Sequence, residues 1–83
     1  MFLKGSMKQS PVNQIGSPTK SITRRQRECL QYIADGRTAR NIAYRLGISE
    51  RMVRFHLEGA RFRLGASSTT QAVYLATKAR LID

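Results

Sequence analysis

Tryptophan is absent from this 83-residue chain, and cysteine and histidine occur once each, as Cys29 and His56. A single cysteine excludes an intrachain disulfide, and with one histidine beside it there is no Cys/His cluster for a metal. Acidic residues are scarce: five, against 15 Lys plus Arg, for a formal charge of +10 and a sequence pI near 11.2. No carboxylate pair or nucleophile–base pair stands out, so neither an enzyme nor a cofactor is expected. No apolar run approaches the roughly 18 residues of a membrane span, and the opening MFLKGSMKQ lacks the apolar stretch of a secretory signal. What is present is a hydrophobic share of 41%, ordinary for a globular chain, and a length sufficient for one small core. These features describe a reduced, cytoplasmic module that seeks a polyanion.

Residues 1–20 hold both prolines, two of the six glycines, three lysines and no acid. Neither a period of 2 nor one of 3.6 persists there, so a flexible basic arm or linker is expected. It is either a plain tether or an arm that adds phosphate or minor-groove contacts. From residue 21 to 83 the punctuation is helical. Thr23-Arg24-Arg25-Gln26 is a capping box ahead of an apolar face of Leu30, Ile33 and Ala34, with Ile22 and Cys29 beside it, and Asp35-Gly36 closes the helix. Thr38 caps a short second helix with Ile42, Ala43 and Leu46 inside, and Gly47 stops it. Ser49 caps a third, running to Leu64 before Gly65. Ser68-Thr69-Thr70-Gln71 is a second capping box, opening a last helix through about Ala79. No stretch alternates like a strand, so the fold class is all-α: a four-helix bundle without a wing.

A short helix, a turn containing Gly47 and a longer helix make a helix-turn-helix. At about 100° per residue, Val53, Leu57, Ala60 and Leu64 share a narrow arc that must face the core. Opposite lie Arg51, Phe55, Glu58 and Phe62, with Arg54 at the flank. A major groove admits one such helix. There Arg51 and Arg54 can fork onto guanine O6 and N7, Phe55 can meet a thymine methyl, and Glu58 can accept from cytosine N4 or repel phosphate. A blander account stands beside this one: Glu50, Arg54 and Glu58 also fit i, i+4 pairing along a solvated face, and the phenylalanines could bury in a partner. Eleven of the 15 cations are arginine, which favours planar recognition of phosphate and guanine. Amides near Thr38 could receive a phosphate at the helix start.

The stretch from Ile22 to Ile82 resembles the DNA-binding domain of LuxR-type transcription regulators. The resemblance is carried by Arg27-Glu28 with Leu30, Ala34 and Gly36; by Ile42-Ala43 with Leu46-Gly47-Ile48-Ser49; by Val53 with His56-Leu57; and by Leu64-Gly65 and Gln71-Ala72-Val73. Phe55-His56-Leu57 and Ala60-Arg61 look closest to the quorum-sensing branch. The resemblance implies that the third helix reads the major groove while the fourth pairs two domains on a pseudo-palindromic site. Carried over by position, base reading falls on Arg51, Arg54, Phe55 and Glu58, and phosphate contacts on Thr38, Arg40, Ser49, Arg61 and Arg63. Phe55 and Glu58 depart from the small polar or basic residues common in the family, and Arg24 replaces its usual proline. The implied partner is double-stranded DNA in the nucleoid, with RNA polymerase a further candidate and no membrane.

In the last helix Val73 and Ala76 are expected inward, while Tyr74, Leu75 and Lys78 either face a second copy or simply cover the domain's own core. His56 is expected to be partly buried and bonded to backbone, and Cys29 a buried small hydrophobe. Gly59 implies either a close backbone approach or tolerance, and nothing in the wheel hides Phe62. No signal-sensing domain is expected among these 83 residues, whether they are a complete short regulator or are cut from a longer one. The rival functions are a module that binds or inhibits a full-length LuxR-type regulator, homo- or heterodimerising through its helices, and non-specific cationic binding.

Overall fold

The computed structural model describes residues 22–83, and the arm expected over residues 1–20 lies outside them. The described residues form four helices and no strand: α1 (Arg24–Ala34), α2 (Ala39–Leu46), α3 (Glu50–Arg63) and α4 (Thr69–Lys78). None is long and apolar enough to cross a membrane.

Each helix starts on the hydroxyl anticipated for it. Thr23, Thr38, Ser49 and Ser68 accept from the amides of Gln26, Asn41, Met52 and Gln71 at 3.0, 3.1, 3.0 and 3.0 Å. Each bond satisfies one of the amides a helix start leaves without a partner, typically stabilising by about 1 kcal/mol. The first box is complete, because Gln26 Oε1 also accepts from the Thr23 amide at 2.9 Å. The second is only half formed. Gln71 Oε1 accepts from the amide and hydroxyl of Ser67, at 2.6 and 3.0 Å, instead of from the Ser68 amide. Ser68 is more extended than the other caps, at φ −154°, and the preceding residue takes the acceptor.

The four helices also end alike. The amides of Arg37, Ile48, Ala66 and Leu81 reach back to the carbonyls of Tyr32, Ala43, Arg61 and Ala76 at 2.8–3.1 Å, a closure that requires one left-handed residue. At Gly47, φ is 68° and no Cβ is present to clash. At the end of α4 the same conformation falls on Arg80, at φ 62°, where an L side chain costs roughly 1–2 kcal/mol.

α3 is the central element, touching each of the other helices and α1 most extensively. Val53, Leu57 and Ala60 with the capping Leu64 are buried as the wheel requires, against Cys29 and Leu30 of α1, Ile42 and Ala43 of α2, and Ala72 and Ala76 of α4. Three expectations shift. Ala34 is exposed, and the α1 seam is completed by Cys29 and Gln26 instead. Leu46 and Val73 are half-buried at the edge of the core, while Ala72 is fully buried. Beyond α4, Ile82 plugs the core and the Asp83 amide donates to Gln31 of α1 at 2.8 Å.

Candidate nucleic-acid interface

The turn between α2 and α3 fixes the ridge. Gly47 reverses the chain, and Ile48 packs half-buried against the core. Ser49 then starts α3, so its apolar arc is locked inward and the opposite arc is left in solvent. Arg51, Arg54, Phe55, Glu58 and Phe62 are all exposed, the two phenylalanines at 68% and 81%. Phe55 and Phe62 are seven residues apart and share one azimuth.

Charges on this ridge are not equally available. Arg54 donates to Glu50 at 3.1 Å along the helix, an exposed pairing that is easily exchanged. Arg51 forms no ion pair or hydrogen bond with another described residue. Glu58 is held by Arg61, whose Nε donates to Oε1 at 3.2 Å and whose Nη2 donates to Oε2. These bonds hold the Glu58 carboxyl below its ordinary range and raise the Arg61 guanidinium.

The hydroxyls of Thr38 and Ser49, assigned to phosphate by resemblance, are both helix caps. Capping consumes an acceptor lone pair and leaves the O–H free to donate, so the two roles are compatible. Arg40 lies on the outer face of α2 with exposed Tyr44, Arg45 and half-buried Asn41, and Arg45 Nε donates to Asn41 at 3.1 Å. No acid lies on that face. Arg63 is exposed at the end of α3, whereas Arg61 has only 30% of its side chain exposed and also donates from Nη1 to the Ala66 carbonyl at 2.9 Å.

On α4, Tyr74 and Lys78 are exposed and the lysine ammonium sits 5.7 Å from the ring centroid, while Leu75 is half-buried against the core. His56 is half-buried with the Phe55 ring edge-on at 5.7 Å. It makes no hydrogen bond to a described residue, so the expected backbone bond is not formed. Cys29 is buried, and burial pushes its thiol pKa up.

Gly59 has a definite neighbour. A Cβ there would lie 2.6 Å from Gln26 Nε2, so the glycine admits the side-chain amide that completes the α1 capping box. The α1 start is thereby set against the third turn of α3. Sequence reasoning left this contact undecided; its signal was a glutamine three residues after a cap and a glycine inside a helix.

A family model described as bacterial regulatory proteins, luxR family, matches residues 20–76. The chain is 36% identical over 62 residues to the transcriptional activator protein LuxR of Aliivibrio fischeri, covering 75% of this chain and 25% of that one. It is 43% identical over 58 residues to the probable transcriptional regulatory protein SgaR of Hyphomicrobium methylovorum, covering 70% and 28%. The chain thus spans about a quarter of the length of these two relatives. Among solved structures, that of the transcription factor GerE superposes with a TM-score of 0.71 at 30% identity, covering 74% of this chain and 91% of that one.

Proposed function

The chain belongs to the luxR family of bacterial regulatory proteins, and from that premise we propose that it binds selected double-stranded DNA with α3 in the major groove. Membership in a family of helix-turn-helix transcription regulators implies DNA binding; the remainder concerns how the binding is done. One observation carries the assignment: the arc of α3 opposite the buried seam is exposed along its length and bears Arg51, Arg54, Phe55 and Glu58. Two arginine forks, a ring and an acceptor are the groups that distinguish base-pair edges in the major groove. Thr38, Arg40, Ser49 and Arg63 flank the ridge and supply contacts to phosphate, which position the domain without reading sequence, whereas Arg61, given the same role by resemblance, already donates to Glu58 and Ala66.

Pairing of two domains through Tyr74, Leu75 and Lys78 would place two α3 helices on half-sites about one helical turn apart. Leu75 is partly used by the core, so the remaining surface of α4 is small and DNA itself would align the pair. The neighbouring alternative, a module that binds and inhibits a full-length regulator of the family, is favoured by a separate observation, the 81% exposure of Phe62.

Selection of bound duplexes from a random pool tests the assignment. The expected result is a defined consensus and a log-affinity that falls steeply with log salt. Replacing Arg40 by alanine should weaken all duplexes alike and reduce the salt slope by about one. Equal affinity for selected and random duplexes would overturn sequence-specific reading, and footprinting that left the α3 ridge uncovered would overturn its placement.

A further inference from the structure

Among the ion pairs of the described residues, that between Glu58 and Arg61 is built differently from the rest. The Arg54–Glu50 pair is a single contact between side chains 65% and 44% exposed. Arg61 instead engages both oxygens of Glu58 through two nitrogens, a planar fork that fixes orientation as well as distance. Its third nitrogen is anchored elsewhere. Nη1 donates to the Ala66 carbonyl at 2.9 Å, while the Ala66 amide donates to the Arg61 carbonyl at 2.9 Å. Ala66 itself is buried at 5% exposure. The guanidinium is therefore tied to the loop that closes α3, and the loop is tied to the core.

The consequence falls on Glu58. Its side chain is 66% exposed and lies on the same ridge as Arg51 and Phe55. A lone glutamate on a helix surface samples several rotamers, so an acceptor of that kind reads base pairs poorly. The fork removes that freedom and leaves further lone pairs on both oxygens able to accept. Hydrogen bonding from Arg61 also favours the ionised carboxylate, which can accept but cannot donate. Within a groove, an acceptor held in place favours an exocyclic amino group and disfavours the carbonyl and ring-nitrogen acceptors of the other bases.

We infer that Arg61 is a positioning residue for sequence readout, holding the Glu58 carboxylate so that, at one step of the site, it selects cytosine (N4) or adenine (N6) over guanine or thymine as the base it faces. The inference rests on the major-groove placement of α3 proposed above and gives Arg61 this task in place of the phosphate contact that the resemblance implies. Moving the guanidinium wholly onto a phosphate would break the hydrogen bonds to Glu58 and Ala66.

Binding-site selection decides the matter when run on the full chain and on Glu58→Ala, Arg61→Gln, Arg61→Lys and Arg54→Ala. Glu58→Ala and Arg61→Gln should relax preference at the same single base-pair position, by roughly fivefold to a hundredfold, the scale of one good base contact. Arg61→Lys keeps the charge without the fork and should fall between. The salt slope of Arg61→Gln should stay near that of the parent. Titration of the Glu58 carboxyl followed by NMR should move back toward the ordinary carboxylate range in Arg61→Gln, which a purely structural role in the loop would not require. Uniform weakening of all duplexes by Arg61→Gln with the slope lower by about one would show a phosphate contact instead. Should Arg61→Gln fail to fold, Glu58→Ala decides alone, since it leaves the Ala66 tie intact; an unchanged consensus overturns the inference. If Arg54→Ala also leaves the consensus unchanged, the groove placement itself fails. If Arg54→Ala alters it and Glu58→Ala does not, only the role of Glu58 and Arg61 is lost.

Discussion

The seam and the ridge of α3 come from the same 14-residue helix, yet substitutions on them act on different quantities. On the seam, Val53, Leu57 and Ala60 contribute by leaving water, and each buried leucine or valine stabilises by roughly 1.5–3 kcal/mol. On the ridge, Arg51, Phe55 and Phe62 hide little area, and the exposed Arg54–Glu50 pair adds little in solvent. The helix is folded from one side and employed from the other, so stability and recognition should be separable by mutation. Gly59 lies half-buried on the border between them.

The largest effect should come from the seam. Leu57→Ala removes a side chain buried in the core and should lower the unfolding free energy by roughly 2–5 kcal/mol, measured in urea. In so small a domain much of the fold should be lost, and DNA affinity with it. Next in size is the ridge. Arg51→Ala should cost roughly 1–3 kcal/mol of discrimination at its base pair while leaving the urea midpoint in place. A matching drop in midpoint would break the division between the two faces.

Gly59→Ala sharpens the boundary. Helix propensity favours alanine by about 1 kcal/mol, but the new Cβ would meet Gln26 Nε2 at 2.6 Å. Displacing that amide breaks its bond to Thr23. Net destabilisation is expected in the parent, and net stabilisation of about 1 kcal/mol in a Gln26→Ala background, where the obstacle is gone. Stabilisation in both backgrounds would show that Gln26 yields without loss. The smallest effect belongs to neither face. Arg80→Gly should relieve the left-handed residue after α4 and, after the extra chain entropy of glycine, gain up to about 1 kcal/mol, with base preference unchanged.

Much of this was legible along the chain because the signals are local. A hydroxyl, a left-handed glycine and a 3.6-residue period each act within a turn or two, and they placed all four helices and the exposed arc. What was hidden depends on contacts between segments. Ala34 satisfies the period of α1 but sits in its last turn, where no other helix covers it. Gln26 is polar by type yet buried, because Gly59 opens a space for it across the α1–α3 contact. Ser67 captures Gln71 through the backbone angle of its neighbour, which residue types do not encode. The Glu58–Arg61 spacing of three was available in the sequence, but the anchor that gives it meaning, the Ala66 carbonyl, becomes apparent only once the loop is folded.

The left-handed Arg80 also bears on motion. A helix end that stores conformational cost opens more readily than one closed by glycine, so fluctuations of the domain should begin where α4 meets the Leu81–Asp83 tail. Hydrogen exchange should show the Leu81 amide opening before the Ile48 amide, although both close helices by the same bond. If α4 is where two copies meet, a second copy would encounter a segment that is still partly adjustable, and association would quench the exchange there first.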